Sequence, residues 1–269
     1  MADLRGKVAI VTGGTLGIGR AAAEGLARAG ASVMVCGTNP GHVETAIAEM
    51  RAEGLEVDGA AADVASAADM ERLVVRTVER FGGVDILVNS AGIQRYGTAV
   101  DTDEGEWDRV LDVNVKGMFL AAKHAIPEMR RRGGGSIVNV SSVQAFIALK
   151  SSLAYVTSKG AINSLTRALA LDHASDGIRV NVVCPGSIDT PMLRWAADLF
   201  RGERGADDLV AEWGRMHPLG RVGRAEEVAA LIVFLAGPGS SFITGASIPV
   251  DGGLLLTVSV ALPADQGAG

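Results

Sequence analysis

The chain is poor in the residues that several chemistries require. It has two cysteines in 269 residues, Cys36 and Cys184. Two thiols make neither a thiolate metal cluster nor a disulfide framework. Both sit in strand-like apolar runs (VMVCG and VNVVCPG), where buried, inert thiols in a reducing cytosol are expected. His42, His124, His173 and His217 are scattered without ligand spacing, so no metal is expected. Three tryptophans, two tyrosines and six phenylalanines are too few for an aromatic-rich β-sandwich or a base-stacking surface. Positive charge is short as well. Lys and Arg number 25 against 31 Asp and Glu, a net charge of −6, which argues against a nucleic-acid partner.

Long apolar runs are missing too. Residues 228–250 carry no charge, but GPGSS at 237–241 interrupts them, so a buried helix, a turn and a strand are expected there and no membrane partner. The opening stretch, MADLRGKVAIVTGG, has a short apolar run before its glycines, unlike a secretory leader. A cytoplasmic location is the expectation.

Glycine is abundant, at 35 residues, within an ordinary soluble composition of 48% apolar and 21% charged. Short continuous apolar runs at 7–12, 32–36, 57–62, 84–89, 136–141, 179–184 and 247–250 read as strands. Helical periodicity covers 21–29, 42–53, 70–81, a long helix at 107–132, then 153–172 and 226–235. A mixed-charge helical stretch fills 190–216. Apolar strands alternating with helices imply burial on both faces. The expected fold is therefore α/β: a single doubly wound domain over 1–269, a seven-stranded parallel sheet with helices on both faces. A lid over about 188–217 and a loose tail at about 263–269 complete it.

TGGTLGIG at 12–19 follows the first strand and opens the first helix. Gly13, Gly17 and Gly19 let the backbone approach a pyrophosphate. Thr15, Leu16 and Ile18 lie in the same turn, and the helix N-terminus adds donors and a positive dipole. A glycine-permitted tight turn with no ligand is the alternative. In dinucleotide folds an acid at the end of strand two binds the adenosine ribose. Here that strand ends Gly37-Thr38-Asn39, with neither the acid that favours NAD nor the arginine that favours NADP. Thr38 and Asn39 can bond a hydroxyl or a phosphate, or simply start the next turn. Asp63 and Val64 follow strand three and can face an adenine. NSAG at 89–92, with Asn89, Ala91 and Gly92, ends strand four where such sheets bind ligands.

Tyr155 and Lys159 stand four apart on an expected helix and share a face. Ser142 comes just after the fifth strand. A phenol with a pKa of about 10 is a poor base at neutral pH, and a neighbouring ammonium favours the phenolate. Lowering that pKa by about two units takes roughly 3 kcal/mol, which Lys159 and an oxidised nicotinamide can jointly supply. Ser142 can donate to the substrate oxygen. Asn114, on the preceding long helix, can order a water behind Lys159. A surface tyrosine beside a solvated lysine is the bland alternative.

These residues together resemble the short-chain dehydrogenase/reductases over about residues 4–253. The resemblance rests on TGGTLGIG, Asp63, NSAG, Asn114, Ser142, the run from Tyr155 to Lys159 (YVTSK), PGSIDT at 185–190 and VDGG at 250–253. It implies a Rossmann-like sheet, NAD or NADP as cofactor, and hydride transfer at a secondary alcohol or ketone. It implies Asn114, Ser142, Tyr155 and Lys159 as the catalytic set, with Lys159 also on the nicotinamide ribose. Pro185, Gly186, Ile188 and Thr190 would hold the carboxamide end. It further implies a homotetramer built from the two long helices and the last strand. Ser90 replaces the family's usual asparagine. The missing acid or base at Gly37 leaves NAD against NADP open.

Substrate contacts are expected from Gln94, Ser142, Gln144, Tyr155, Arg194 and Trp195. Two amides suggest a small polar molecule: a sugar, a polyol or a hydroxy acid. AGIQ, with glycine for the acid at strand two, is similar to 3-hydroxybutyrate dehydrogenases, although their histidine after the serine is glutamine here. Rim positions facing solvent are the alternative for both glutamines, and a salt bridge across the lid is the alternative for Arg194. Trp107 and Trp213 read as packing residues. Two other functions compete with the alcohol dehydrogenase. A 3-oxoacyl-carrier-protein reductase would need a basic surface near the pocket, and Arg130–Arg132 is the only basic run. A non-catalytic NAD(P)-sensing protein would need no phenol.

Overall fold

The computed structural model describes residues 3–256. Seven strands form one parallel sheet: β1 (Val8–Thr12), β2 (Ser32–Gly37), β3 (Val57–Ala61), β4 (Ile86–Asn89), β5 (Gly135–Val140), β6 (Ile178–Pro185) and β9 (Ser247–Val250). Their spatial order is β3-β2-β1-β4-β5-β6-β9. The reversal falls between β1 and β4, whose carboxyl ends therefore flank a crevice. One face is covered by α1 (Gly17–Arg28), α2 (Pro40–Ala52) and α9 (Ala225–Ala236), which join a core built on Ala9, Val11, Val33, Val35 and Val88. The other is covered by α3 (Ala67–Phe81) and α5 (Gly117–Arg131), packed on Ile10, Met34, Leu87 and Ile137. α6 (Leu153–Asp172) lies on the same side, its Ile162 against Val182 and Cys184. The seven expected strands are all present, within a residue or two of their sequence-derived bounds.

The expected long helix at 107–132 is interrupted. α4 (Glu104–Leu111) gives way to a π-turn over Asp112–Lys116 before α5 begins. Asn114 lies in this turn. Its Nδ2 donates to the Ile93 carbonyl at 3.0 Å and its Oδ1 accepts from the Ile93 N–H at 2.8 Å. A side chain that pairs with a neighbouring loop accounts for the extra residue in the turn, and such bulges gather at functional sites. The stretch at 190–216 is two helices, α7 (Pro191–Phe200) and α8 (Ala206–Arg215). A two-residue pair, β7 (Ile188–Asp189) with β8 (Gly223–Arg224), anchors their base and was not foreseen. Residues 225–250 are α9, a turn and β9, and no helix among the described residues is long and apolar enough to cross a membrane. The expected tail at 263–269 lies outside the described residues.

Arg130, Arg131 and Arg132 close α5 at the amino ends of the strands, away from the crevice. All three are paired: Arg130 with Asp176 at 2.8 Å, Arg132 with Asp85 at 3.1 Å, and Arg131 with Glu128.

Candidate active site

A cleft of about 930 Å³ lies at the carboxyl ends of the strands. Its floor is the turn between β1 and α1. Gly13 has φ +65°, and a Cβ there would lie 2.8 Å from Ala91 Cα. A Cβ on Gly19 would lie 2.2 Å from the Gly13 carbonyl oxygen, so the turn can close only around glycine. Leu16, the N-cap of α1, offers no side-chain cap. The first N–H groups of the helix at Gly17, Ile18 and Gly19 therefore face the cleft uncapped. Glycines that let a ligand approach, together with unused donors at a helix N-terminus, fit the pyrophosphate of a dinucleotide.

Gly37, Thr38 and Asn39 also line the cleft. Asn39 is already engaged: its Oδ1 caps α2 by accepting from the His42 N–H at 3.2 Å. Thr38 stays exposed, and His42 joins the same wall, a residue the sequence reading left out. Asp63 is paired with Arg109 at 3.1 Å, and both reach the cleft with Val64.

Asn89 corrects an expectation. It is fully buried, and its Nδ2 donates to Asn139 Oδ1 at 2.9 Å, whose own Nδ2 donates to Thr166 Oγ1 at 2.9 Å. The amide belongs to a polar ladder inside the sheet, and it is Ser90, Ala91 and Gly92 that reach the cleft. Thr12 Oγ1 fixes that loop by accepting from the N–H groups of Ser90 and Ala91 at 3.2 and 3.3 Å.

Ser142, Tyr155 and Lys159 come together at the centre of the cleft, each more than nine-tenths buried. The Ser142 hydroxyl faces the Tyr155 phenol, and its Oγ accepts from the Gln144 N–H at 3.1 Å. Lys159 Nζ lies 5.1 Å from the Tyr155 ring centroid and donates to the Val140 carbonyl at 3.1 Å. Asn114 Nδ2 also reaches Ser158 Oγ at 3.0 Å, and that hydroxyl donates to the Tyr155 carbonyl at 2.7 Å. Asn114 thereby ties the π-turn to the helix that carries the phenol. Burial pushes the Tyr155 phenol above its ordinary range, the Ser142 hydroxyl pulling it the other way. Burial also lowers the Lys159 amine to about 8. The expected acidification of the phenol by the amine is not found in the chain by itself: desolvation dominates, and Ser142 is the group that lowers it. The amine addresses the ring and the Val140 carbonyl.

On the outer side, Gln94 and Gln144 line the cleft as expected. Arg194 and Trp195 do not. Arg194 is clasped by Asp189, through two bonds of 2.7 Å, and by Asp207, so that Nε and both Nη atoms are engaged. Trp195 stacks outward on Tyr96 with centroids 5.8 Å apart. Trp213, expected to be a packing residue, faces the cleft, alongside Tyr96, Ile147, Leu149, Phe200, Leu209 and Met216. This wall is largely apolar, and no local motif marks it, because its members come from three separate segments. Pro185, Gly186, Ile188 and Thr190 line the cleft beside it. His217 braces that loop: its Nε2 accepts from the Ser187 N–H at 3.1 Å, and its Nδ1 bonds the Trp213 carbonyl at 3.0 Å.

Sheet order, glycine turn and the buried serine–tyrosine–lysine group define an oxidoreductase architecture. A family model described as "Enoyl-(Acyl carrier protein) reductase" matches residues 13–255. Dehydrogenase/reductase SDR family member 4 of Oryctolagus cuniculus is 40% identical over 93% of this chain and 94% of its own length. The 2-(S)-hydroxypropyl-CoM dehydrogenase 3 of Xanthobacter autotrophicus is 37% identical over 93% of this chain and 97% of its own. Among solved structures, the aldohexose dehydrogenase AldT of Thermoplasma acidophilum superposes with a TM-score of 0.90 at 41% identity, covering 97% of this chain and 99% of that one. The chain belongs to the short-chain dehydrogenase/reductase family of oxidoreductases.

Proposed function

We propose that this protein interconverts a secondary alcohol and a ketone with NAD or NADP, using Tyr155 as general acid and base. The observation that carries the reading is the burial of Ser142, Tyr155 and Lys159 around one point of a cleft whose floor is the uncapped glycine turn. The residues of that turn, with Thr38, Asp63, Gly92 and the 185–190 loop, would hold the dinucleotide. When bound, the nicotinamide supplies or accepts the hydride.

The chain's own part is proton handling and orientation. Ser142 Oγ accepts from the Gln144 N–H, which holds the hydroxyl beside Tyr155, and a bound substrate oxygen would take over the proton it points at the phenol. Tyr155 gives its proton to that oxygen in reduction and takes it back in oxidation. Lys159 holds positive charge near the ring, where it stabilises the phenolate as it forms. Asn114 positions the helix through Ser158. The 188–217 segment acts as a lid, pinned by the stack of Tyr96 on Trp195 and by the edge-on contact of Tyr96 with Phe200 at 4.6 Å.

The expectation of a small polar substrate is narrowed by the apolar outer wall. Gln94 and Gln144 serve polar groups close to the reacting carbon, and the wall accepts an apolar portion. That wall also favours a second reading, reduction of a carrier-bound acyl chain. Against it, the only arginine run is fully paired at the opposite end of the sheet, which leaves Lys150 and the paired Arg109 and Arg204 as the cations lining the cleft besides Lys159.

Tyr155→Phe tests the mechanism. It should bind NAD or NADP as the parent does and lose turnover by about 1,000-fold or more, a general acid–base contribution compounded by loss of the substrate bond. Unchanged turnover would reject the role given to Tyr155. Cofactor binding without turnover in the parent, across ketones, sugars, hydroxy acids and acyl thioesters, would favour a sensing protein.

A further inference from the structure

The cleft is short of acid in an acidic chain. The protein has 31 acidic against 25 basic residues. Yet among the described residues Asp63 is the one carboxylate that lines the cleft, against Arg109, Lys150, Lys159 and Arg204. Three of these four cations are engaged. Arg109 holds Asp63 at 3.1 Å, Arg204 holds Glu212 at 2.5 Å, and Lys159 donates to the Val140 carbonyl beside the phenol. Lys150 has no hydrogen-bond or ion-pair partner among the described residues. An ammonium offers three donors and no acceptor, so only an acceptor or an anion can complete it.

The segment that carries Lys150 is held in place at a cost. Ser151 has φ +56°, the only positive φ outside glycine among the described residues. Its carbonyl accepts from the Gly97 N–H at 2.8 Å, Gly97 bridges to Ser152, and Gln94 Nε2 donates to Ser152 Oγ at 3.4 Å. Backbone strain of this kind gathers at ligand clamps and active sites. Exposure grows along the segment. Ser142 and Val143 are buried, Gln144 and Ala145 half-buried, and residues 146–150 exposed. The chain thus runs from the reacting centre to the mouth, with Lys150 at the outer end. Ile147 and Leu149 lie between them on the same wall, and Phe200, Leu209, Trp213 and Met216 also line the outer cleft.

We propose that the substrate is an oxo acid, or the corresponding hydroxy acid, whose anionic head meets Lys150 at the mouth and whose apolar chain separates that head from the reacting carbon. This rests on the reading of Tyr155 and Ser142 as the groups that meet the reacting oxygen. Lys150 is then the residue that selects for the head. A lysine is a point charge and not a planar fork, so it selects charge over shape and serves a carboxylate and a sulfonate alike. In a short acid the carboxylate lies next to the reacting carbon, at the buried end of the segment and away from the lysine.

The test offers the intact enzyme four methyl ketones that share one spacer and differ in the head: 7-oxooctanoate, 6-oxoheptane-1-sulfonate, methyl 7-oxooctanoate and (6-oxoheptyl)trimethylammonium. At low salt both anions should exceed the neutral ester by about 2- to 5-fold in kcat/KM, chiefly through KM, and the cation should fall below it. The gap should shrink at about 0.5 M salt, because Lys150 is exposed. In Lys150→Met the anion-to-ester ratio should fall to about one, in Lys150→Glu the cation should lead, and Lys150→Arg should keep the parent's order. Because the substrates share the reacting carbonyl, the ratio cancels any general damage to a variant, and if Lys150→Met does not fold the parent's order and its salt dependence still decide. For 4-oxopentanoate, with its carboxylate close to the carbonyl, Lys150→Met should change kcat/KM little. Octanoate, which has no ketone, gives a readout without turnover: by calorimetry it should bind the parent–cofactor complex about 2- to 5-fold more tightly than the Lys150→Met complex. An ester as good as the acid, an anion preference unmoved by salt or by Lys150→Met, or an equal Lys150 effect on 4-oxopentanoate would overturn the inference and leave the alcohol–ketone reading intact. Turnover of 2-octanone with none of the anions would do the same. Failure of every ketone with both cofactors would remove the underlying reading instead.

Discussion

Lys159 Nζ sits 5.1 Å from the centre of the Tyr155 ring and 3.1 Å from the Val140 carbonyl oxygen, with only 5% of the residue exposed. A cation held there is desolvated, and its folded-state pKa falls from 10.5 to about 8. A lysine whose pKa is depressed on folding opposes folding while it is charged. That penalty is complete below about pH 8 and disappears as pH rises past the unfolded value. Lys159→Met should therefore gain stability over the parent most at neutral pH. The difference between the two proteins should shift in the parent's favour by on the order of 3 kcal/mol between pH 7 and pH 10.5. Urea melts of both proteins across that range measure it, and a difference independent of pH would contradict the burial argument.

The turn at the floor makes a sharper demand. Gly19→Ala would place a methyl group 2.2 Å from the Gly13 carbonyl oxygen, a backbone atom that cannot step aside. The turn would have to open, taking Gly13 off its contact with Ala91. We expect a loss of stability of about 2 kcal/mol or more and cofactor affinity too weak to measure by fluorescence titration. Gly133→Ala is the contrast: its φ of +82° strains a side chain, but nothing lies within 4 Å of the new methyl. It should cost stability alone and leave nucleotide affinity untouched.

The glycines of the floor show what was legible in the sequence. Gly13, Gly17 and Gly19 announce their turn because their spacing is local and tied to a strand–helix junction. Tyr155 and Lys159 are legible for the same reason: four residues on one helix fix their shared face. Ser142 and Asn114 were legible from their places, just after the fifth strand and on the helix before it, and the family resemblance put both in the catalytic set. The outer wall was not, because Tyr96, Leu149 and Trp213 lie on segments that only the tertiary fold joins, and a tryptophan in a helix reads as packing whichever side it faces. Arg194 was misplaced because charge in a lid is compatible with both a ligand and an ion pair. Only the positions of Asp189 and Asp207 decide between them. Asn89 looked like a cleft residue until the sheet register put it opposite Asn139.

His217 is the least conspicuous member of the site. Its Nε2 accepts from the Ser187 N–H, so its proton rides on Nδ1 and is donated to the Trp213 carbonyl. Gly186 makes room for it: a Cβ there would lie 2.9 Å from Nε2. The ring thus clips the end of α8 to the loop that holds Pro185 and Ile188. His217→Phe keeps the volume and removes both bonds in a place only 3% exposed. It should cost about 1–3 kcal/mol in a denaturant melt. It should also weaken cofactor binding several-fold, whereas a clip with no bearing on the loop would change stability alone.

Arg194 allows a direct choice between its two readings. Its guanidinium is bound by Asp189 on β7 and by Asp207 on α8, which ties α7 to β7 and to the start of α8. The pairs are largely exposed, so their loss should shift the melting temperature little. Its effect should be local. In Arg194→Gln, amide exchange should quicken across α7 and α8, where the clasp held them, and remain as in the parent across α1 and α6. KM should rise by a similar factor for neutral and carboxylated substrates, because a looser segment closes less often over either one. A KM that rises only for carboxylated substrates would return Arg194 to the substrate site and with it the short hydroxy acids that the apolar wall disfavours.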